Sequence, residues 1–131
     1  MNPTRVFSGA TWESKVGYCR AVRAGEHIYV SATASIDAEG QVFAPGDAYR
    51  QARRCLEIIE QALKELGCGR EAVVRTRMFV TDIARWEEYG RAHGEFFSER
   101  PPATSMVEVR SLVHRDFLIE IEADAVDRRD R

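Results

Sequence analysis

Apolar residues recur along this chain in two rhythms, one typical of strands and one typical of helices. Residues 27–31 are rich in β-branched and aromatic side chains and predict a strand, and residues 20–23 predict a shorter strand joined to it by a turn. The clearest strand pattern runs from Phe117 to Val126, with apolar residues at every odd position. Its other side carries three carboxylates, which we call the acidic row: Glu120, Glu122 and Asp124.

Two other segments repeat at three- and four-residue steps, which predicts helices. Asp47 is placed to cap the first helix and Gly67 to end it in a left-handed conformation. Its apolar face comprises Ala52, Cys55, Leu56, Ile59, Ala62, Leu63 and Leu66. Asp82 is placed to cap the second helix, which must stop before Pro101. The stripe of this helix comprises Trp86, Tyr89, His93, Phe96 and Phe97.

Strands are also predicted at residues 72–81 and 103–109. In the first of them, one side is expected to hold Val74, Thr76, Met78 and Val80. The order of strands, helix, strand, helix, strands predicts an α+β fold, with two helices packed on one face of a mixed sheet. Because no third helix is predicted to cover the other face, we expect another copy of the chain to cover it in a homo-oligomer.

The composition fits a single domain over residues 1–131, since 44% of the residues are hydrophobic and 31% are charged. A formal net charge of −2 argues against nucleic acid as a partner, which usually requires a basic surface. No apolar run approaches the roughly 20 residues that cross a bilayer, and the first nine residues lack the apolar core of a signal peptide. With three cysteines and no CxxC pair, these features predict a cytoplasmic protein without a disulfide framework.

Candidate chemistry is sparse. His27, His93 and His114 fall on a strand, a helix and a loop, and this scatter predicts structural or surface histidines rather than a metal site. Cys55 lies on an apolar helix face, which is typical of a buried thiol. Glu120 is the strongest candidate, because a carboxylate at a subunit boundary can shuttle a proton or position a water. The alternative for Glu120 is a plain solvated strand face.

Together these segments resemble the RidA/YjgF family, also known as endoribonuclease L-PSP-like proteins. The resemblance runs from about Gly17 to Val126 and is carried by the order and spacing of its pieces. They are Gly17–Val22, Ile28–Ser31, Gln51–Gly67, Val74–Asp82, Phe96–Phe97, Pro102–Ala103, Val107–Val109 and Ile119–Ala123. The resemblance implies a chorismate-mutase-like fold and a homotrimer with a pocket at each subunit boundary. Well-known members hydrolyse enamines or imines to a 2-keto acid and ammonia, and use no metal and no cofactor.

The chain departs from the family in this pocket. Deaminating members carry an arginine after Pro–Ala, and this chain has Thr104, which offers the substrate carboxylate one hydroxyl and no charge. The resemblance therefore implies an arginine-lacking subgroup in which activity on 2-imino acids is weak or absent. Arg20 and Arg110 are the candidates for a replacement charge.

Three positions match the family pocket, so the resemblance implies that Glu120 is catalytic and that Tyr18 and Ser31, with Thr104, bind the substrate. The expected function is a cofactor-free hydrolase or deaminase of a small enamine, imine or related carbonyl metabolite. A non-catalytic ligand-binding or regulatory trimer is the first alternative. An endoribonuclease is the second, disfavoured by the acidic row and the balanced charge, because phosphate backbones require cationic grooves.

Overall fold

The computed structural model describes residues 4–128. Its elements are β1 (Thr4–Val6), α1 (Thr11–Val16), β2 (Ala21–Ala24), β3 (His27–Ala34), α2 (Ala48–Glu65), β4 (Val73–Val80), α3 (Trp86–Phe96), β5 (Ala103–Glu108) and β6 (Ile119–Val126). The strands form one sheet in the order β1-β2-β3-β6-β4-β5, with β4 and β5 parallel and the other neighbours antiparallel. Helix α2 packs against β3, β6 and α3. The predicted α+β fold, a mixed sheet with helices on one face, is confirmed.

The long helix α2 follows its sequence pattern closely. The Asp47 carboxylate accepts a hydrogen bond from the backbone N–H of Arg50 at 2.9 Å, and Gly67 takes a φ of 94° after the helix ends. All seven residues of the predicted apolar face are buried. A fully buried leucine or isoleucine contributes about 1.5–3 kcal/mol, so this face is a main source of the stability of the fold.

Strands β6 and β4 supply the centre of the sheet. The odd-numbered residues of β6 are buried beneath the helices, and the acidic row faces the opposite side. The expectation that Val74 shares a side of β4 with Thr76, Met78 and Val80 is wrong. Those three side chains are buried, as is Val73, whereas Val74 is 47% exposed. A register shift against β6 between Val73 and Arg75 displaces the alternation by one residue, as a β-bulge does.

The second predicted helix, α3, begins four residues after Asp82, the residue predicted to cap it. The Asp82 carboxylate accepts from the N–H of Ala84 and caps a 3₁₀ turn, Ile83–Arg85, which leads into α3. Trp86 is 57% exposed, so its assignment to the buried stripe is wrong. The rest of that stripe is buried. Within residues 4–128, no helix combines the length and apolarity required to span a membrane.

The face of the sheet opposite the helices carries several partly exposed side chains. Tyr29 and Val107 lie in the same pairing rows as Asp124 and Glu120, and they are 49% and 46% exposed. Large apolar side chains left exposed on one sheet face are typical of a surface that another chain covers.

Candidate functional site

A cavity of about 510 Å³ opens where β3 meets β6. Tyr18, Ser31 and Glu120 all line it, so the structure brings together three of the four side chains that the sequence assigned to a pocket. The other lining residues are Ala10, Trp12, Val16, Arg20, Ala32, Ala34, Ile36, Ser111, Leu112, Val113 and Phe117. Most of these are apolar, which leaves a few polar groups to orient a ligand.

Glu120 differs from the rest of the acidic row. One guanidinium nitrogen of Arg77 lies 3.1 Å from the Glu122 carboxylate and 3.4 Å from that of Asp124, which relieves the repulsion expected among these groups. Among the described residues Glu120 forms no ion pair and no side-chain hydrogen bond. Burial raises its pKa above the ordinary value of 4.5, and the positive charge of Arg20 partly opposes that rise. Glu120 is therefore the carboxylate of the row best suited to proton transfer.

Arg20 is a buried cation beside this carboxylate. It is 7% exposed, its Nη2 donates to the Ala32 carbonyl at 2.7 Å, and its Nε is buried without a partner among the described residues. Its guanidinium lies 5.6 Å from the Tyr18 ring centroid. No described carboxylate forms an ion pair with it. A buried charge outside an ion pair is costly, so Arg20 favours the ionised form of the nearby Glu120.

We expect Arg20→Met to raise the pKa of Glu120 further, because the substitution removes the charge that stabilises its ionised form. A ¹³C NMR titration of the glutamate carboxyl carbons measures this, with the Glu120 signal assigned by its loss in Glu120→Gln. Arg77→Met is the matched control, since Arg77 pairs with Glu122 and Asp124 instead. An unchanged or lowered Glu120 pKa in Arg20→Met would contradict the electrostatic coupling.

Arg110, the other candidate for a replacement positive charge, does not line the cavity around Glu120. Arg110 is exposed, and it lines neither the cavity nor the groove that adjoins it. That groove, about 950 Å³, shares Trp12, Arg20 and Phe117 with the cavity and continues along α2. Of the two arginines that the sequence offered, the structure therefore places only Arg20 beside Glu120.

Ser31 and Tyr18 form the polar wall beside Arg20. The Ser31 hydroxyl donates to the Cys19 carbonyl at 2.8 Å, so its proton is already engaged and its oxygen is left to accept. This bond also ties the segment before β2 to β3. Tyr18 is half-buried over the Arg20 guanidinium.

The short helix α1 forms an apolar wall that the sequence did not reveal. Glu13 on this helix is buried, and it accepts hydrogen bonds from the Ser8 backbone N–H at 3.0 Å and from the Ser8 hydroxyl. These bonds hold α1 so that Trp12 and Val16 border the cavity. A six-residue helix has too few turns to show a periodic apolar face. The sequence signal available for this helix was Ser8, whose backbone and hydroxyl donate to Glu13.

Gln51 fixes the loop that closes the cavity. It is fully buried on α2, where its Nε2 donates to the Asp116 carbonyl at 2.9 Å and its Oε1 accepts from the Leu118 N–H at 2.9 Å. The loop so held supplies the cavity residues Ser111, Leu112 and Val113. Gln51 was not among the predicted site residues, although an amide on an otherwise apolar helix face is a visible signal.

Thr104 does not line this cavity. Its hydroxyl lies 2.6 Å from Oγ1 of Thr76, which points from β4 toward α3, whereas Glu120 points to the opposite face of the sheet. In the pairing register, Thr104 and Glu120 are two strands and three residues apart, about 14 Å between their Cα atoms. One chain therefore does not bring Thr104 to the other three predicted side chains.

No cluster of three or more His, Cys, Asp or Glu side chains arranged to hold a metal ion is present between residues 4 and 128. Cys55 is buried, as its place on α2 predicted, and burial raises the pKa of its thiol. The polar groups that are placed to act on a ligand are therefore those that line the cavity around Glu120.

Comparison with known proteins gives a consistent picture. The Endoribonuclease L-PSP family model matches residues 9–127. A crystal structure from Mycobacterium tuberculosis, described as a member of the YjgF/YER057c/UK114 family, superposes with a TM-score of 0.87 at 44% identity, covering 95% of this chain and 99% of that one.

Two sequence relatives cover most of both chains. An uncharacterized protein of Streptomyces coelicolor is 32% identical over 92% of this chain and 90% of its own length. The 3-aminoacrylate deaminase RutC of Acinetobacter baylyi is 34% identical over 82% of this chain and 85% of its own length. Sequence, family model and fold agree, and the chain belongs to the RidA/YjgF family, whose family model is named Endoribonuclease L-PSP.

Proposed function

We propose that this protein is a cofactor-free hydrolase that converts a small enamine or imine into a carbonyl compound and ammonia. The observation that carries the proposal is the position of Glu120, whose pKa is raised by burial on the wall of a largely apolar cavity. The acidic neighbours of Glu120 form ion pairs with Arg77, and Glu120 forms none among the described residues. A carboxylate with a raised pKa that is held in no ion pair is suited to accept and return a proton.

The reaction requires one base that later acts as an acid. The Glu120 carboxylate takes a proton from water as the water oxygen bonds to the carbon of the C=N group. It then returns that proton to the nitrogen, which gives a carbinolamine. In a second transfer it moves the hydroxyl proton to the nitrogen as the C–N bond breaks, so that ammonia leaves and the carbonyl forms. An enamine enters the same sequence after its carbon gains a proton and its nitrogen loses one, which gives the imine. The relative from Acinetobacter baylyi supports this substrate class, because 3-aminoacrylate is an enamine.

Arg20 is proposed to tune Glu120 rather than to bind a carboxylate through two hydrogen bonds. Its Nη2 already donates to the Ala32 carbonyl and its Nε is buried, so the Nε–Nη2 edge of the guanidinium is not free to grip a carboxylate. It contributes positive charge and stabilises the ionised form of Glu120. Activity on 2-imino acids is therefore expected to stay near background in the unmodified protein.

The complete pocket is proposed to lie between two subunits of a homotrimer. Glu120 and Thr104 face opposite sides of one sheet, so a pocket that contains both requires a second chain. The open sheet face supports this arrangement, because Tyr29 and Val107 are only half-buried on it. For the shared pocket to form, the neighbour that covers this face must present its own edge strand β5 to the cavity.

Light scattering at low micromolar protein should give three times the 14.9 kDa mass of the chain. The physical reason is the uncovered apolar surface, which a monomer would leave in water. A substitution of Tyr29 by glutamate on that face should shift the mass toward the monomer. A clean monomer for the unmodified protein would contradict both the interface and the shared pocket.

A non-catalytic trimer that only binds a small ligand is the second candidate. Thr104 favours it, because the position carries no charge with which to orient a substrate. A coupled assay, in which a second enzyme generates the imine and ammonia release is followed, separates the two. Ammonia release above the uncatalysed rate supports the hydrolase, and binding without acceleration supports the alternative.

A further inference from the structure

His93 is a buried titratable group for which the proposed reaction has no role. It lies on α3, is 8% exposed, and its ring packs 4.7 Å from that of Phe97, centroid to centroid. Burial lowers its pKa below the ordinary value of 6.5, so the ring is neutral at neutral pH. A neutral imidazole offers one donor and one acceptor nitrogen, and the two are exchanged between its tautomers.

Two threonine hydroxyls connect this ring to the edge of the sheet. The His93 Nε2 lies 2.7 Å from Oγ1 of Thr76, and that oxygen lies 2.6 Å from Oγ1 of Thr104. The parallel register of β4 and β5 places the two threonines side by side, with Thr76 fully buried and Thr104 exposed. A histidine buried only for stability would need one hydrogen-bond partner, and Thr76 would suffice. Here the hydrogen bonds continue from Thr76 to the exposed hydroxyl of Thr104, which points to a function for the Thr104 hydroxyl.

The single proton of the Thr76 hydroxyl couples the directions of the two hydrogen bonds in this chain of side chains. The Thr76 hydroxyl has a single proton, and both of its neighbours are within hydrogen-bond distance. If His93 Nε2 carries a proton, it donates to Thr76. Thr76 then donates to Thr104, because accepting from both neighbours would leave the buried Thr76 proton without an acceptor among the described residues, and the Thr104 proton is free to point outward. If Nε2 is unprotonated, both hydroxyls donate toward the ring, and Thr104 can only accept. The tautomer of His93 therefore decides what Thr104 offers.

We infer that His93 is a positioning residue that, through Thr76, directs the hydroxyl proton of Thr104 outward as a neutral donor to a carbonyl or carboxylate oxygen of the ligand. The Nε2–H form is the intrinsically preferred tautomer of neutral histidine, and each bond of such a chain polarises the next. The chain of bonds lies within one subunit. Its use in ligand binding rests on the proposed function, in which Thr104 borders the pocket.

The direction of the chain can be tested without any substrate. Long-range ¹H–¹⁵N NMR spectra distinguish the two tautomers, and His93→Gln assigns the His93 signals among those of the three histidines. We expect the Nε2–H form at pH 7. We also expect Thr104→Val to shift the Nε2–H proton upfield although Thr104 does not touch the ring, because Thr76 loses the acceptor that polarised it. Thr104 is exposed, so this variant is expected to fold.

A matched control is a buried hydroxyl elsewhere in the fold. Ser35 is fully buried and donates to the Phe43 carbonyl at 2.9 Å, and Ser35→Ala should leave the His93 signals unchanged. An Nδ1–H tautomer in the unmodified protein would overturn the inference. So would a His93 signal that does not respond to Thr104→Val.

Kinetics then test whether the chain serves the pocket. Thr76→Val should raise KM for an imine substrate by about fivefold with little change in kcat, the scale of one hydrogen bond of about 1 kcal/mol, and Thr76→Ser should restore it. An unchanged KM in a folded Thr76→Val variant would overturn the positioning role. An unmodified protein without hydrolase activity would instead refute the proposed function, and the NMR result would still decide the direction of the chain.

Discussion

Replacing Glu120 with glutamine is expected to lower turnover of an enamine or imine by about 10²–10⁴-fold, the usual contribution of general acid–base catalysis. Glutamine keeps the shape of the side chain and its ability to accept a hydrogen bond, but it cannot take up a proton. Ligand affinity should therefore change little. In the unmodified protein, activity should fall as the pH decreases through the Glu120 pKa, and that limb should lie above pH 4.5 because burial raises this pKa.

Glu122→Gln is the matched control for this substitution. Glu122 is the next outward-facing carboxylate of the same strand, but it pairs with Arg77 at 3.1 Å and does not line the cavity. Its replacement should leave turnover close to that of the unmodified protein. Full turnover in Glu120→Gln would refute the proton-shuttle role. A change in affinity alone, with no turnover in either protein, would favour the non-catalytic trimer.

The helices and the core strands could be predicted because their patterns are long. The 18 residues of α2 and the alternation along β6 repeat often enough to fix which side is buried. Val74 could not be placed correctly, since a β-bulge shifts the alternation and leaves no mark in the composition. Trp86 was misplaced because a 3₁₀ turn separates Asp82 from the start of α3.

Residues of the candidate site could be predicted where they belong to a strand pattern. They could not be predicted where their role depends on contacts between distant parts of the sequence. Glu120 stood out as part of a row of carboxylates, but the difference between it and Glu122 comes from Arg77 on another strand. Gln51 acts across the fold on a loop more than 60 residues later. No periodicity reports such contacts, so only the packed structure reveals which polar groups share a cavity.

Introducing an arginine at the edge strand, Thr104→Arg, should raise kcat/KM for a 2-imino acid by about 10²-fold. A charge-assisted hydrogen bond contributes about 1.5–3 kcal/mol, and an arginine can make two to a carboxylate. Thr104→Gln supplies similar length without charge and should give no comparable gain. Keto-acid release by the unmodified protein at a rate typical of an efficient enzyme would contradict the reasoning from Thr104. A Thr104→Arg variant that keeps the oligomeric state of the unmodified protein and shows no increase in kcat/KM would contradict it as well.

The same substitution can show whether the pocket is shared between chains. A double variant, T104R/E120Q, carries the introduced arginine but lacks the carboxylate proposed to be catalytic, and the unmodified chain carries Glu120 without the arginine. Glu120 and Thr104 face opposite sides of one sheet, so a complete site is expected only where the two kinds of chain adjoin. Oligomers reassembled from a mixture should then hydrolyse the 2-imino acid faster than either parent. A mixture no faster than its parents would place the two positions in separate sites.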